Sequence, residues 1–401
     1  MNDPEIELKW PCADHATRQY MHCIDLRFGD AAYPFWIGNS CMQEIVAKLS
    51  QLAESSLHIV TDHNVNALHV GRLVEELSEF APVFVWPLAE GEVSKSLGTL
   101  EHLANQLLNA GVDRKSVIVA MGGGMIGNIA GLVAALLFRG IRFVHIPTTL
   151  MAMCDSVISL KQAVNMPQGK NLLGCYHTPT AVFADTAYLS TLPPAQMRSG
   201  LCEIIKNVLA IDGDNLAWLL ATLNTGAAYD TRTLANIVQV GVAAKQRVMV
   251  DDKRERASAL VFEYGHTVGH AIELTCNGRL SHGEAVGLGI IVAAEVSHEL
   301  GLLPTEVRNL HYQLLQLNGV AIQAPHTLTP EAVMTALRFD NKRGYVRAMS
   351  GEIPMILLRA LGEPLWEVGE YPLTLVDAGL VEEMLRRHIF HIDKLDVVQE
   401  A

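Results

Sequence analysis

The sequence predicts an α/β protein in which an N-terminal, mostly parallel sheet with helices is followed by an all-helical C-terminal domain. From Ser55 to Pro194, short β-branched runs alternate with stretches of helical period, the pattern of a parallel sheet covered on both faces. After Leu192-Pro193-Pro194 strand-like runs become few and long apolar-periodic segments take over. The chain has 401 residues, 50% hydrophobic and 18% charged, which gives ample core material and excludes a disordered polymer.

In chain order, residues 1–25 are polar and weakly patterned, an arm or a lead-in strand. Strands are expected at Leu57–Thr61, Val83–Trp86, Ser116–Ala120, Arg142–Pro147 and Ala181–Asp185, with helices such as Asn66–Phe80 and Leu97–Ala110 between them. The double proline marks the boundary, giving domains at 1–192 and 193–401. Beyond it, helices are expected at Gln196–Ala210, Thr233–Val250, Tyr264–Thr275 and Gly283–Leu300. The longest apolar stretches, Gly131–Phe138 and Ala285–Val296, are shorter than the ~20 residues of a spanning helix and read as buried helices.

Charge and cysteines narrow the function classes. With 30 Lys plus Arg against 43 Asp plus Glu, the net charge is -13, which argues against a nucleic-acid-binding face. Seven cysteines are scattered without a C-x-x-C pair, as in a reduced protein without disulfides. The opening MNDPEIELKW has no basic segment before an apolar stretch, so no secretory signal is read. A soluble, cytoplasmic protein without membrane or nucleic-acid partners is expected.

Three constellations point to chemistry. The Ser116–Ala120 strand runs into Met121-Gly-Gly-Gly-Met-Ile-Gly127-Asn128 and then a small-residue helix. Glycines 122, 124 and 127 fit the Rossmann-like G-x-G-x-x-G pattern, in which a helix N-terminus receives a phosphate. The acid expected after the next strand is absent, because that strand ends in Ile146-Pro147-Thr148-Thr149. Tight helix–sheet packing is the plainer reading of the glycines. Asp62, Glu92 and Lys95 stand at strand C-terminal ends, where ligands of such sheets lie.

In the helical half, Glu203 and Lys206 share one helix face, and Glu263, His266 and His270 are placed on another at i, i+3 and i+7. His282 opens a further helix. Imidazoles with a carboxylate suit Zn²⁺ or a similar ion, although two histidines often share a helix face by chance. Finally, Arg139, Lys161, Lys170, Lys245 and Lys342 interrupt apolar or glycine-rich stretches of an acidic chain. They point to an anionic small molecule, against the ordinary reading of each as a solvated or snorkelling side chain.

Taken together, the ordered segments Gly122–Asn128, Ile146–Leu150, Asp155-Ser156, Lys161–Asn165, Gly169–Asn171, Thr191–Pro194, Gly200–Lys206, Gly265–His270 and His282–Val286 resemble the sugar phosphate cyclase superfamily, the 3-dehydroquinate synthase-like enzymes. The resemblance runs from about Leu57 to Lys342. It implies NAD in the N-terminal domain, contacted by Asp62, Glu92, Val93, Ser94, Lys95, Gly124, Met125, Ile126, Gly127, Asn128, Thr148, Thr149, Lys161 and Lys170. Asn128 replaces an aspartate usual in dehydroquinate synthases. It also implies a divalent metal, Zn or Co, on Glu203, His266 and His282. A sugar phosphate would meet Arg139, Asn171, Lys206, Lys245, His270 and Lys342. Lys161 is implied as a proton-transfer residue. Glu263, where the chain departs from dehydroquinate synthases, is expected to accept and donate protons in place of an amide, with second-sphere support of a ligand imidazole as the plainer alternative.

Two departures bear on the subfamily. The arginine that holds the substrate carboxylate in dehydroquinate synthases is Ala259 here, and their asparagine three residues before the first histidine is Glu263. A buried carboxylate without a partner is costly, so the implied substrate lacks one. Glu263–His270 and Ser159–Asn165 look like the 2-deoxy-scyllo-inosose synthase branch, a lyase activity of aminoglycoside (2-deoxystreptamine) biosynthesis. That resemblance implies conversion of D-glucose 6-phosphate by transient C4 oxidation, phosphate loss, re-reduction and aldol closure. Valiolone-type cyclases lose the second histidine, which this chain keeps as His270. The alternatives are a 3-dehydroquinate synthase, a metal-dependent polyol dehydrogenase and a degenerate sugar-phosphate binder. A homodimer is expected, as is usual in the superfamily.

Overall fold

The computed structural model describes residues 21–390 except 168, 277, 340, 341, 343 and 368–370. Its first half is a seven-stranded sheet of order β1-β2-β9-β6-β5-β3-β4. These strands are β1 (His22–Phe28), β2 (Ala31–Gly38), β3 (Leu57–Asp62), β4 (Val83–Leu88), β5 (Val117–Gly122), β6 (Arg142–Pro147) and β9 (Ala181–Asp185). Only the β1–β2 pair is antiparallel; β2–β9, β9–β6, β6–β5, β5–β3 and β3–β4 are parallel. The five strands expected from β-branched runs are all present. β1 begins within the expected lead-in segment, whose residues 1–20 lie outside the described residues.

Alternation of side chains across the pleat builds both faces. Ile118 and Ala120 of β5 pack with Leu100, Leu103 and Leu107 of α1 (Leu97–Asn109) and with α2 (Gly124–Leu136). Val117, Val119 and Met121 face the other way, onto Ile45, Leu49, Leu73 and Leu77. The expected Asn66–Phe80 helix is present as a continuous helical run over 63–77, widened into a π-helical turn at 66–70. A hairpin, β7 (Lys161–Met166) with β8 (Gly169–Tyr176), stands apart from the main sheet and packs on α2.

The second half is helical: α3 (Pro194–Ala210), α4 (Thr231–Met249), α5 (His266–Thr275), α6 (His282–Glu299) and α7 (Thr305–Leu317) are its long members. Pro194 occupies the first turn of α3, where its missing N–H costs nothing. Two small antiparallel pairs also lie here, Glu352–Met355 with Thr374–Asp377 and Leu358–Ala360 with Glu363–Pro364. Among the described residues, no helix is long and apolar enough to cross a membrane.

Candidate active site

α5 and α6 pack unusually closely. A Cβ on Gly289 would stand 1.9 Å from the Gly265 carbonyl oxygen, so only glycine allows this approach. Gly265 also adopts φ +76, a left-handed turn that costs other residues strain. This turn corrects one expectation. Glu263 ends a short 3-10 segment, Ser258–Glu263, and α5 starts at His266. Glu263 therefore does not share a helix face with His266 and His270, although it still reaches the same cluster.

One ring nitrogen from each of His266, His270 and His282 lies within 4.8 Å of the other two. Glu203, buried on α3, points at them. Its Oε1 has no hydrogen-bond partner and lies 3.5 Å from His266 Nε2 and 3.6 Å from His282 Nε2. Its Oε2 accepts from Lys206 Nζ. Hydrogen bonds leave both Nε2 atoms facing Glu203: His266 Nδ1 bonds the Tyr264 carbonyl at 3.1 Å and His282 Nδ1 bonds Glu273 at 3.1 Å. An orphaned carboxylate oxygen aimed at two imidazole nitrogens fits a borderline divalent ion such as Zn²⁺ or Co²⁺.

Electrostatics separates the three imidazoles. Burial pushes His266 down to about 4, against the pull of Glu203. Burial, with His266 beside it, pushes His270 down to about 3. His282 goes the other way: burial opposes its charge, but Glu203 and Glu273 override it and raise it to about 10. Burial also opposes ionisation of Glu203, and Lys206 with the imidazoles holds its carboxyl well below the usual range. The ion-free cluster thus keeps a proton on His282, which a metal ion would displace.

The lysines ring this centre, each with a carboxylate. Lys245 Nζ is 2.6 Å from Asp155 Oδ1, Lys342 Nζ is 3.5 Å from Glu263 Oε2, and Lys161 Nζ is 2.8 Å from Glu255 Oε2. Phe262 gathers two of them: Lys245 and Lys206 Nζ stand 4.8 and 5.9 Å from its ring centroid. The sequence reading missed Glu255, Glu273 and Phe262. The available signal for Glu255 was that a lysine drawn into an apolar segment needs a counter-charge.

The nucleotide-side candidates gather at the strand C-terminal ends, as in other open α/β sheets. Asp62 ends β3 and accepts from the Val65 N–H at 2.9 Å. Glu92, Val93 and Ser94 form a 3-10 turn after β4, ending at Lys95. Gly124–Asn128 open α2, whose N-terminus has no side-chain cap. Thr148 and Thr149 follow β6. The Thr148 and Ser156 hydroxyls are buried without partners, and a Cβ on Gly124 would come within 3.1 Å of Ser156 Oγ. Free N–H groups, orphaned hydroxyls and a cradle that a methyl group would fill suit a dinucleotide phosphate. Asn128 ties α2 to the hairpin, accepting from the Ala163 N–H at 3.0 Å.

Three candidates are placed differently from expectation. Arg139 precedes β6, at the strand end opposite Thr148 and Thr149, so the strand's own length of about 20 Å lies between it and those threonines. Asn171 joins the nucleotide side, its N–H donating to Asn165 at 2.9 Å and its Oδ1 accepting from Lys95. Lys170 Nζ reaches Glu273 Oε1 at 2.6 Å.

Comparison with known proteins identifies the architecture. The 3-dehydroquinate synthase N-terminal family model matches residues 85–199 and the C-terminal one residues 200–343. A 2-deoxy-scyllo-inosose synthase of Micromonospora echinospora is 49% identical over 362 residues, 90% of this chain and 91% of that protein. One from Streptomyces kanamyceticus is 46% identical over 369 residues, 91% of this chain and 94% of that protein. A crystal structure of 2-deoxy-scyllo-inosose synthase complexed with carbaglucose-6-phosphate, NAD⁺ and Co²⁺ superposes with TM-score 0.87 at 36% identity, covering 92% of this chain and 100% of that one. The chain belongs to the 3-dehydroquinate synthase-like sugar phosphate cyclases, within their 2-deoxy-scyllo-inosose synthase family.

Proposed function

We infer that the chain converts D-glucose 6-phosphate into 2-deoxy-scyllo-inosose and phosphate, acting as a carbon–oxygen lyase that uses NAD⁺ catalytically. The observation that carries this reading is the pairing of Glu263 with Lys342 beside the histidine cluster, with buried Ala259 on the same segment. The pocket wall offers a carboxylate and no guanidinium at these positions, which favours a neutral polyol carrying phosphate over a substrate carboxylate. Four lysines supply local positive charge despite the net charge of -13.

Glu203, His266 and His282 would hold the metal, and Asp62, Glu92–Lys95, Gly124–Asn128, Thr148 and Thr149 the dinucleotide. When bound, NAD⁺ supplies reversible oxidation at C4 and the ion supplies Lewis acidity toward sugar oxygens. The chain's own residues handle charge and protons. Lys206, Lys245 and Lys342 neutralise phosphate through charge-assisted hydrogen bonds. Burial disfavours the Lys161 ammonium, but Glu255 outweighs it and raises its pKa, so Nζ stays protonated and would offer a proton only when a stronger base develops beside it. Glu263 Oε2 is the base, and neutral His270 hydrogen-bonds a sugar hydroxyl. The protein would work as a cytoplasmic homodimer in 2-deoxystreptamine formation.

The experiment is incubation of purified protein with glucose 6-phosphate, NAD⁺ and Co²⁺ or Zn²⁺. Equimolar phosphate and carbocycle without accumulating NADH is the expected result. Accumulating NADH would instead make it a polyol dehydrogenase, and turnover of only a carboxylated heptulose phosphate a 3-dehydroquinate synthase.

A further inference from the structure

Glu273 lies on α5, seven residues after His266 and three after His270, so all three share one helix face. Both of its oxygens are used. Oε2 accepts from His282 Nδ1 at 3.1 Å, and Oε1 accepts from Lys170 Nζ at 2.6 Å. The Glu273 side chain is 13% exposed, whereas its partners Lys170 and His282 are 39% and 34% exposed. The bond to Nδ1 holds the His282 ring with its Nδ1 proton on Glu273 and turns Nε2 toward Glu203 Oε1, 3.6 Å away, so that Nε2 is the nitrogen a metal ion would take in exchange for its proton.

Lys170 belongs to the β7–β8 hairpin, not to the helical half. Its neighbour Asn171 is held by Lys95 and by Asn165, and Asn165 Nδ2 donates to Glu92 at 2.8 Å. A continuous polar path therefore runs from the turn after β4, through the hairpin, to Glu273 and His282. A lone exposed Lys–Glu pair would contribute little. This one differs because the carboxylate it steadies also orients an imidazole.

We propose that Glu273 is a positioning residue for His282, and that Lys170 steadies it from the nucleotide-side hairpin. The proposal rests on the assignment of Glu203, His266 and His282 as metal ligands. Lys170 thereby takes a support role at the metal centre, distinct from the dinucleotide contact that family resemblance gives it.

The test is Co²⁺ titration of the full chain, read by the visible absorption of bound Co²⁺ and by equilibrium dialysis, for wild type, E273A, E273Q, K170M and K170M/E273A. Wild type is expected to bind Co²⁺ stoichiometrically. E273A should bind ~10–100-fold more weakly with an altered absorption band, the range typical of losing such a partner. E273Q keeps an oxygen that accepts from Nδ1–H and should recover part of that loss. K170M should weaken binding alone yet add little to E273A, because the two act through one contact. Thermal melts in EDTA identify variants that merely unfold, and E273Q, the least disruptive, keeps the comparison decisive. Wild-type affinity and absorption in E273A would overturn the proposal while leaving the ligand assignment intact. Equal losses in E273A and E273Q, with K170M fully additive, would also overturn it. Failure of wild type to bind Co²⁺ would overturn both.

Discussion

Glu263 Oε2 faces Lys342 Nζ at 3.5 Å, beside the histidine cluster, with no hydrogen-bond donor of its own. Burial favours the neutral acid, yet Lys342, the two nearby imidazoles and Lys161 hold the carboxyl well below its usual range. The carboxylate is therefore ionised with Oε2 open to accept a proton, while the cations that keep it ionised weaken it as a base. Glu263→Gln should keep metal and NAD⁺ binding while lowering turnover ~10²-fold or more. Dialysis for metal, nucleotide titration and steady-state rates check this. Near-normal turnover would remove Glu263 from proton transfer, and loss of metal restored by excess ion would make it a support of His266.

Lys161 and Glu255 form a second charged pair at 2.8 Å, with Ser159 Oγ also donating to Glu255 at 2.6 Å. Burial alone would lower the Lys161 pKa, and the carboxylate reverses that. Glu255→Gln removes the reversing charge, so the ammonium should lose its proton at lower pH. The alkaline limb of the kcat profile is therefore expected to move to lower pH, with the acid limb unchanged. Lys161→Met should lose turnover across the whole range. A superposing Glu255→Gln profile would show that Lys161 does not set the alkaline limb, and near-normal turnover in Lys161→Met would show that it does not transfer the proton.

Parts of this arrangement were legible in the sequence for a physical reason. β6 and β9 are almost wholly buried strands, and Ala181–Ala184 of β9 and all of β6 but Arg142 and His145 are apolar, which marks them without knowledge of a partner strand. The hairpin was not legible: Gly169, Gly174 and Asn171 blur its alternation, and its register depends on Gly174 lying against the Gln162 carbonyl oxygen, 2.0 Å from where a Cβ would sit. Glu255 was missed because its partner Lys161 is 94 residues away, and no local spacing encodes that pairing. His266 and His270 showed as a pair one helical turn apart. Assigning Glu263 to their face failed because helical periodicity does not reveal where a left-handed glycine interrupts the helix.

Glu203 and Lys206 are both about 1% exposed, and removing one partner of a buried ion pair strands the other's charge. Glu203→Ala should therefore cost about 3–5 kcal/mol of stability in EDTA, where metal loss cannot contribute. Glu203→Ala/Lys206→Met replaces the stranded ammonium with an apolar chain and should recover much of that loss. Urea unfolding of both variants measures it. If the single variant were as stable as wild type, water or rearrangement would already be solvating Lys206.

His58, at the far side of the sheet, gives the protein an acid-sensitive element independent of the active site. Its buried ring stacks on Phe84 and Trp86, with centroids 5.0 and 6.1 Å apart. The Trp86 indole N–H donates to Nδ1 at 3.3 Å, so Nε2 carries the proton toward Ser56 Oγ at 2.9 Å. Protonating Nδ1 would set two N–H groups against each other. Burial accordingly pushes the ring down to about 4, against a weaker pull from Asp113. An unfolded chain protonates this imidazole near pH 6.5, and the folded one does so only near 4. Between those values the unfolded state binds more protons, so stability falls as pH falls, by on the order of 2 kcal/mol from this residue. His58→Phe keeps the stack but leaves the Trp86 N–H unpaired, which costs ~1 kcal/mol or more at pH 8. That deficit should shrink or reverse by pH 4.5, because the variant has no imidazole to protonate on unfolding. Urea unfolding at pH 8, 6 and 4.5 measures the difference, and a pH-independent deficit would show that His58 does not set the acid sensitivity.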